Sequence, residues 1–108
     1  MDRELADFLD HCRLERRLAE STCRAYQRDV DACLASLRAA GIRDLGQVSP
    51  SDLRAFLAEE ATGRAAVSSQ ARAVAALKCF FRFCVDNEYL ERDPGAHPQN
   101  AEEARGAS

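Results

Sequence analysis

The chain has 108 residues, room for one domain, with 46% hydrophobic and 31% charged residues and a net charge of −3. That balance is ordinary for a globular protein, and no apolar run approaches the roughly 20 residues needed to cross a bilayer. The opening Met1-Asp2-Arg3-Glu4-Leu5 lacks the basic and apolar segments of a signal peptide, so the chain reads as cytoplasmic.

The first predicted element is an amphipathic helix running to about Arg17. Leu5, Phe8, Leu9 and Cys12 follow the i, i+3, i+4, i+7 spacing of one helical face. Asp2, Glu4, Asp7, Asp10 and Glu15 occupy its solvated faces. Ser21 is expected to cap a second helix, whose buried face carries Cys23, Tyr26, Val30, Cys33, Leu34 and Leu37. Gly41 is placed to end it in the left-handed conformation. Ser49-Pro50-Ser51-Asp52 is a strong start signal, with a Ser cap, Pro in the first helical position and an acid in the first turn. Leu53, Phe56 and Leu57 then form the stripe of a third helix that Gly63 terminates.

Ser68 is expected to cap the fourth helix. At about 100° per residue, Val74, Leu77, Phe81, Cys84 and Val85 fall on one side of it. Ser68, Arg72, Ala75, Ala76, Cys79 and Arg82 fall on the other. Phe80 and Phe83 lie off the main stripe, which requires either packing on two sides or a partner. Asp93-Pro94-Gly95 is the expected stop, and residues 98–108 read as a linker or tail. The pattern is all-α, a compact bundle of four main helices, with residues 1–97 as the domain.

Cys12, Cys23, Cys33, Cys79 and Cys84 contain no CxxC pair. An odd, dispersed set without a secretion signal reads as reduced thiols packed as small hydrophobes, and no metal site is expected. His11 and His97 belong to no pattern of a nucleophile or metal centre. No catalytic residue and no cofactor are assigned.

Charge is segregated along the chain. From Ala61 to Val85 there is no acid, while Arg64, Arg72, Lys78 and Arg82 all fall there. Such asymmetry can build a basic face on an acidic protein.

Four stretches carry a family resemblance. They are Leu5 to Leu37 with Ser21-Thr22, Tyr26 and Asp29-Val30; the segment VSPSDLRAFLAE; the segment SSQARAVAALKCFFRFCVDNEYL; and the exit ERDPGAHP. Their order resembles the SAM-like core-binding domain of tyrosine recombinases of the phage-integrase family, nearest the Xer and integron-integrase branch. The resemblance covers about residues 4–97.

That resemblance implies one half of a C-shaped clamp on double-stranded DNA, serving site-specific DNA recombination or integration through the second and fourth helices. The implied contacts are Thr22, Arg24, Gln27 and Arg28 on one helix, and Ser68, Ser69, Arg72, Lys78 and Arg82 on the other. Helix N-termini and arginines suit phosphate, arginine also forks onto guanine edges, and Gln reads adenine. Arg72→Glu is accordingly expected to weaken duplex binding without lowering stability. Strand cleavage in this family belongs to a second, catalytic domain, which the 108 residues are expected to lack, so this chain alone is not expected to be an enzyme. Tyr26 and Tyr89 are expected to pack rather than react. Other recombinase protomers are implied as partners, membranes are not, and the isolated domain is expected to be a monomer. The competing reading is a helical protein–protein interaction module, for which Phe80 and Phe83 are the best evidence.

Overall fold

A computed structural model describes residues 1–63 and 67–94. Four α-helices follow in order, α1 (Asp2–Asp10), α2 (Glu20–Ala39), α3 (Pro50–Thr62) and α4 (Val67–Asp86). A π-helical turn, His11–Glu15, prolongs α1, and a 3-10 turn, Leu45–Gln47, precedes α3. No strand occurs among the described residues, and no helix there is long and apolar enough to cross a membrane. The expected linker at 98–108 lies outside the described residues, as do Arg64 and His97.

Each turn has a local cause. The first helix widens into the π-turn instead of continuing regularly to Arg17. Arg17 then takes a left-handed φ of 53°, and the Leu18 N–H reaches back to the Cys12 carbonyl at 3.0 Å. Gly41, with φ of 90°, closes α2 as expected. The Ile42 N–H donates to Leu37 O at 2.9 Å and the Gly41 N–H to Arg38 O at 3.0 Å, the paired bonds of a Schellman cap. Ser49 and Asp52 form a reciprocal capping box at α3, with Asp52 N to Ser49 Oγ at 3.2 Å and Ser49 N to Asp52 Oδ2 at 2.9 Å. Gly63 is the C-cap of α3.

Three expected boundaries move. Helix α2 begins at Glu20 with Ala19 at its cap, so Ser21 lies in the first turn and caps nothing. Helix α4 begins at Val67, which puts Ser68 inside it as well. Its other end comes at Asp86, well before the Pro94 stop. Asn87 and Glu88 terminate it through a second Schellman pattern, Tyr89 N to Cys84 O at 2.8 Å and Glu88 N to Val85 O at 3.0 Å. Glu88 takes the left-handed position at φ 65°. A glutamate there carries none of the glycine signal that a sequence reading relies on.

The core draws on all four helices. Leu5, Phe8 and Leu9 of α1, Val30, Cys33, Leu34 and Leu37 of α2, and Leu53 and Phe56 of α3 are buried as predicted. From α4 the buried set is wider than one stripe, with Ala73, Ala76, Leu77, Phe80, Phe81, Phe83 and Cys84, while Val74 and Val85 are half-buried. Phe80 and Phe83 pack back onto α1. The Phe8 ring lies 5.4 Å from Phe80, edge-on, and 5.7 Å from Phe83. Helix α4 therefore packs on more than one side, against α1 with this aromatic face and against α2 and α3 with the rest of its buried surface. The two aromatics that best supported an interaction module are internal. Ala76, expected beside Ala75 on the outer face, is fully buried and leaves Ala75 alone outside.

Candidate nucleic-acid interface

Helices α2 and α4 lie side by side and make the largest helix–helix contact of the bundle. Two cross-links fix their sense. Arg72 of α4 meets Asp29 in the middle of α2, and Cys79, two turns further on, meets Arg16 just before α2. As α4 advances, α2 recedes, so the pair is antiparallel and forms one continuous surface.

The Asp29–Arg72 link is bidentate, Nε to Oδ2 at 2.9 Å and Nη2 to Oδ1 at 3.0 Å. The Asp29 side chain is only 11% exposed and Arg72 is 41% exposed. The hydrogen bond to Asp29, and then the carboxylate's charge, hold the Arg72 guanidinium protonated above the ordinary arginine range. Arg72 thus straps the two helices together. Its proposed DNA contact must share the guanidinium with this carboxylate.

On α4 the exposed residues run Ser68, Ala71, Arg72, Ala75, Lys78 and Arg82, a stripe at helical spacing, with Ser69 half-buried beside it. Arg82 pairs with Asp86 one turn away at 3.3 Å. Lys78 has no carboxylate within ion-pair distance among the described residues.

On α2 the expected set divides. Taking about 100° per residue from Asp29, which marks the seam with α4, Thr22 lies about 20° away and Arg28 about 100° away. Arg24 and Gln27 lie about 140° and 160° round the helix, turned from the seam. Arg24 also stands 3.9 Å from Glu20. Arg28 is exposed, with no ionic partner among the described residues.

The sequence reading missed Arg16. It leaves the π-turn to donate from Nη1 to Cys79 Sγ at 3.4 Å. With Lys78 and Arg82 it lines a cleft of about 690 Å³ beside α4, which Asp86 also borders. That hydrogen bond to Cys79 raises the Arg16 pKa. Nothing in the local spacing pairs residue 16 with residue 79; only the reversal at Arg17 brings them together. Tyr26 sits half-buried at the same seam, its pKa raised by burial and then by Cys79. Among the described residues no group of three or more His, Cys, Asp or Glu is placed to hold a metal ion.

Comparison with known proteins agrees with this architecture. Residues 5–88 match the family described as phage integrase, N-terminal SAM-like domain. The chain is 37% identical over 92 residues to the tyrosine recombinase XerD of Yersinia pestis, covering 85% of this chain and 30% of that protein. It is 32% identical over 95 residues to the tyrosine recombinase XerC of Bifidobacterium longum strain DJO10A, covering 88% of this chain and 26% of that protein. A third relative, the XerD of Brucella abortus biovar 1, is 33% identical over 90 residues, covering 83% and 29%. The chain therefore spans less than a third of the length of these relatives. The matched segment runs from the first turns of α1 past the end of α4, which is the whole described bundle, and on that ground the chain belongs to the phage integrase family as an N-terminal SAM-like domain of the tyrosine recombinase type.

Proposed function

We propose that this domain clamps duplex DNA across the antiparallel α2–α4 surface during site-specific recombination. The observation that carries the reading is the set of exposed cations on and beside these helices, Arg16, Lys78 and Arg82 lining one cleft with Asp86 and Asp93, and Arg28 on α2. Arg28 and Lys78 lack carboxylate partners among the described residues, and Arg16 and Arg82 stand at the same side of α4. Free cations release counterions on meeting phosphate, whereas a guanidinium already in a carboxylate pair contributes less. Arg28, Lys78 and Arg16 are therefore the principal phosphate contacts, with Arg72 and Arg82 secondary. Thr22, Ser68 and Ser69 supply hydroxyls along the seam, and exposed Ala75 permits close approach of the groove wall. Arg24 and Gln27 reach DNA only at the edge of the footprint.

In this proposal the domain is a non-catalytic part of a cytoplasmic tyrosine recombinase. The strand-cleaving tyrosine lies in a further domain joined through residues 98–108, and the remaining partners are other protomers of the recombinase.

Fluorescence anisotropy with a labelled duplex at a series of salt concentrations tests the reading. Three phosphate contacts predict a log–log slope near −2.7, at roughly −0.9 per contact. A flat response, at concentrations where binding is measurable, contradicts it.

A further inference from the structure

Leu14 and Tyr89 are the large hydrophobic side chains left exposed among the described residues, at 72% and 38%. Both open on one shallow cleft of about 390 Å³ where the π-turn passes the end of α4. His11 and Phe83 line it, with ring centroids 5.1 Å apart, and the Tyr89 ring is 6.3 Å from Phe83. The Tyr89 hydroxyl donates to Asp7, which holds the ring at the edge of the cleft. A single exposed leucine is common on any surface; two large apolar side chains converging on a ring-lined depression are not.

The rim is anionic. Asp7, Asp10 and Glu15 line the cleft, and no Lys or Arg does among the described residues. Asp10 has no ionic partner among those residues, and Glu15 meets only His11, at 3.8 Å.

We propose that this cleft docks a segment of a partner protein that inserts a large apolar side chain flanked by Lys or Arg. The apolar lining selects the inserted group and the three carboxylates select its flanks. The same carboxylates repel phosphate, which sets this cleft apart in charge from the adjoining Arg16, Lys78 and Arg82 cleft, with which it shares His11, Phe83 and Asn87. A second copy of this chain is the alternative occupant, which sedimentation separates. The inference is independent of the DNA reading.

The test uses a short fluorescent amphipathic peptide of Leu and Lys, with a Leu and Glu peptide of the same pattern for comparison. The Lys peptide binds the 108-residue chain and the Glu peptide does not. Leu14→Arg weakens binding about tenfold or more, as loss of a central apolar anchor does. Asp10→Lys weakens it several-fold, while Glu59→Lys, the same charge change on exposed α3, leaves it within about twofold. Equal loss in Asp10→Lys and Glu59→Lys, or no loss in Leu14→Arg, overturns the proposal. Sedimentation showing a dimer that Leu14→Arg dissolves overturns it in favour of a second copy. Leu14 and Asp10 are both exposed, and an unchanged circular dichroism spectrum shows that the variants fold.

Discussion

Asp29 and Arg72, 43 residues apart, are joined by two parallel hydrogen bonds that carry α2 onto α4. Both residues belong to the family-like segments, Asp29 closing the Ser-Thr…Tyr…Asp element and Arg72 lying in the first half of the fourth helix. The carboxylate is the more buried partner, so the two deletions are unequal. Arg72→Ala strands a nearly buried carboxylate and is expected to cost about 2 kcal/mol. Asp29→Asn leaves an exposed guanidinium that water can solvate and is expected to cost about 1 kcal/mol. Urea unfolding of both variants measures the difference. Arg72→Glu sets two carboxylates against each other, so it lowers stability as well as DNA affinity. The sequence-based expectation of an unchanged melt is corrected on this point.

Glu88 holds a left-handed conformation at φ 65° in the cap that ends α4. A side chain there is strained by about 1 kcal/mol, which glycine relieves at the cost of a more flexible unfolded chain. Glu88→Gly is therefore expected to raise stability by a few tenths to about 1 kcal/mol. A lowered urea midpoint contradicts this reading of the cap.

Burial pushes the Cys12 thiol up to about 11, and the Cys33 and Cys84 thiols up to about 12, from 9.0. For Cys12 the neighbouring Cys23 adds to the shift, and for Cys84 the Glu4 carboxylate does. Each folded pKa lies above its unfolded value. The unfolded chain therefore loses these protons first as pH rises. Their contribution to stability is complete below pH 9 and is lost between pH 9 and about 12. Unfolding free energies measured at pH 8, 9.5 and 10.5 are expected to fall in that order. At pH 8, half-buried Cys79 is expected to react first with an aromatic disulfide reagent, ahead of the four buried thiols.

Phe80 is fully buried, edge-on to Phe8 at 5.4 Å and 5.1 Å from Phe81. Phe80→Ala removes the centre of the α1–α4 contact and is expected to cost about 3–5 kcal/mol. A loss below about 1 kcal/mol, read from the urea midpoint, means that this aromatic seam does not hold α1 to α4.

Local chemistry made much of the fold legible. The Leu5, Phe8, Leu9 and Cys12 spacing, the Ser49–Asp52 capping box and Gly41 each encode their element in adjacent residues. What escaped depends on long-range geometry. A strict single-stripe projection of α4 left Phe80 and Phe83 outside, because it assumes one packing partner where the bundle supplies three, α1, α2 and α3. The same projection put Ala76 outside. Serines at 21 and 68 carry the cap preference, yet the chain path at Ala19 and Val67 starts both helices earlier. At the site, helical periodicity put Arg28 and Arg82 outside, where they lie, but it placed Cys79 rather than Lys78 on the outer face of α4, whereas Lys78 is exposed and Cys79 half-buried. It could not reveal that Arg72 is shared with Asp29, nor that the turn at Arg17 delivers Arg16 to Cys79. Those relations need residues far apart in the chain.

The most direct measurement compares the double variant Arg28→Glu/Lys78→Glu with the unaltered chain in duplex-binding titrations across salt. Both side chains are exposed and lack ionic partners among the described residues, so the urea midpoint should hold while affinity collapses and the log–log slope shrinks by roughly 1.8. Equal affinity and equal slope in a folded double variant would show that nucleic acid does not meet this protein on the α2–α4 surface.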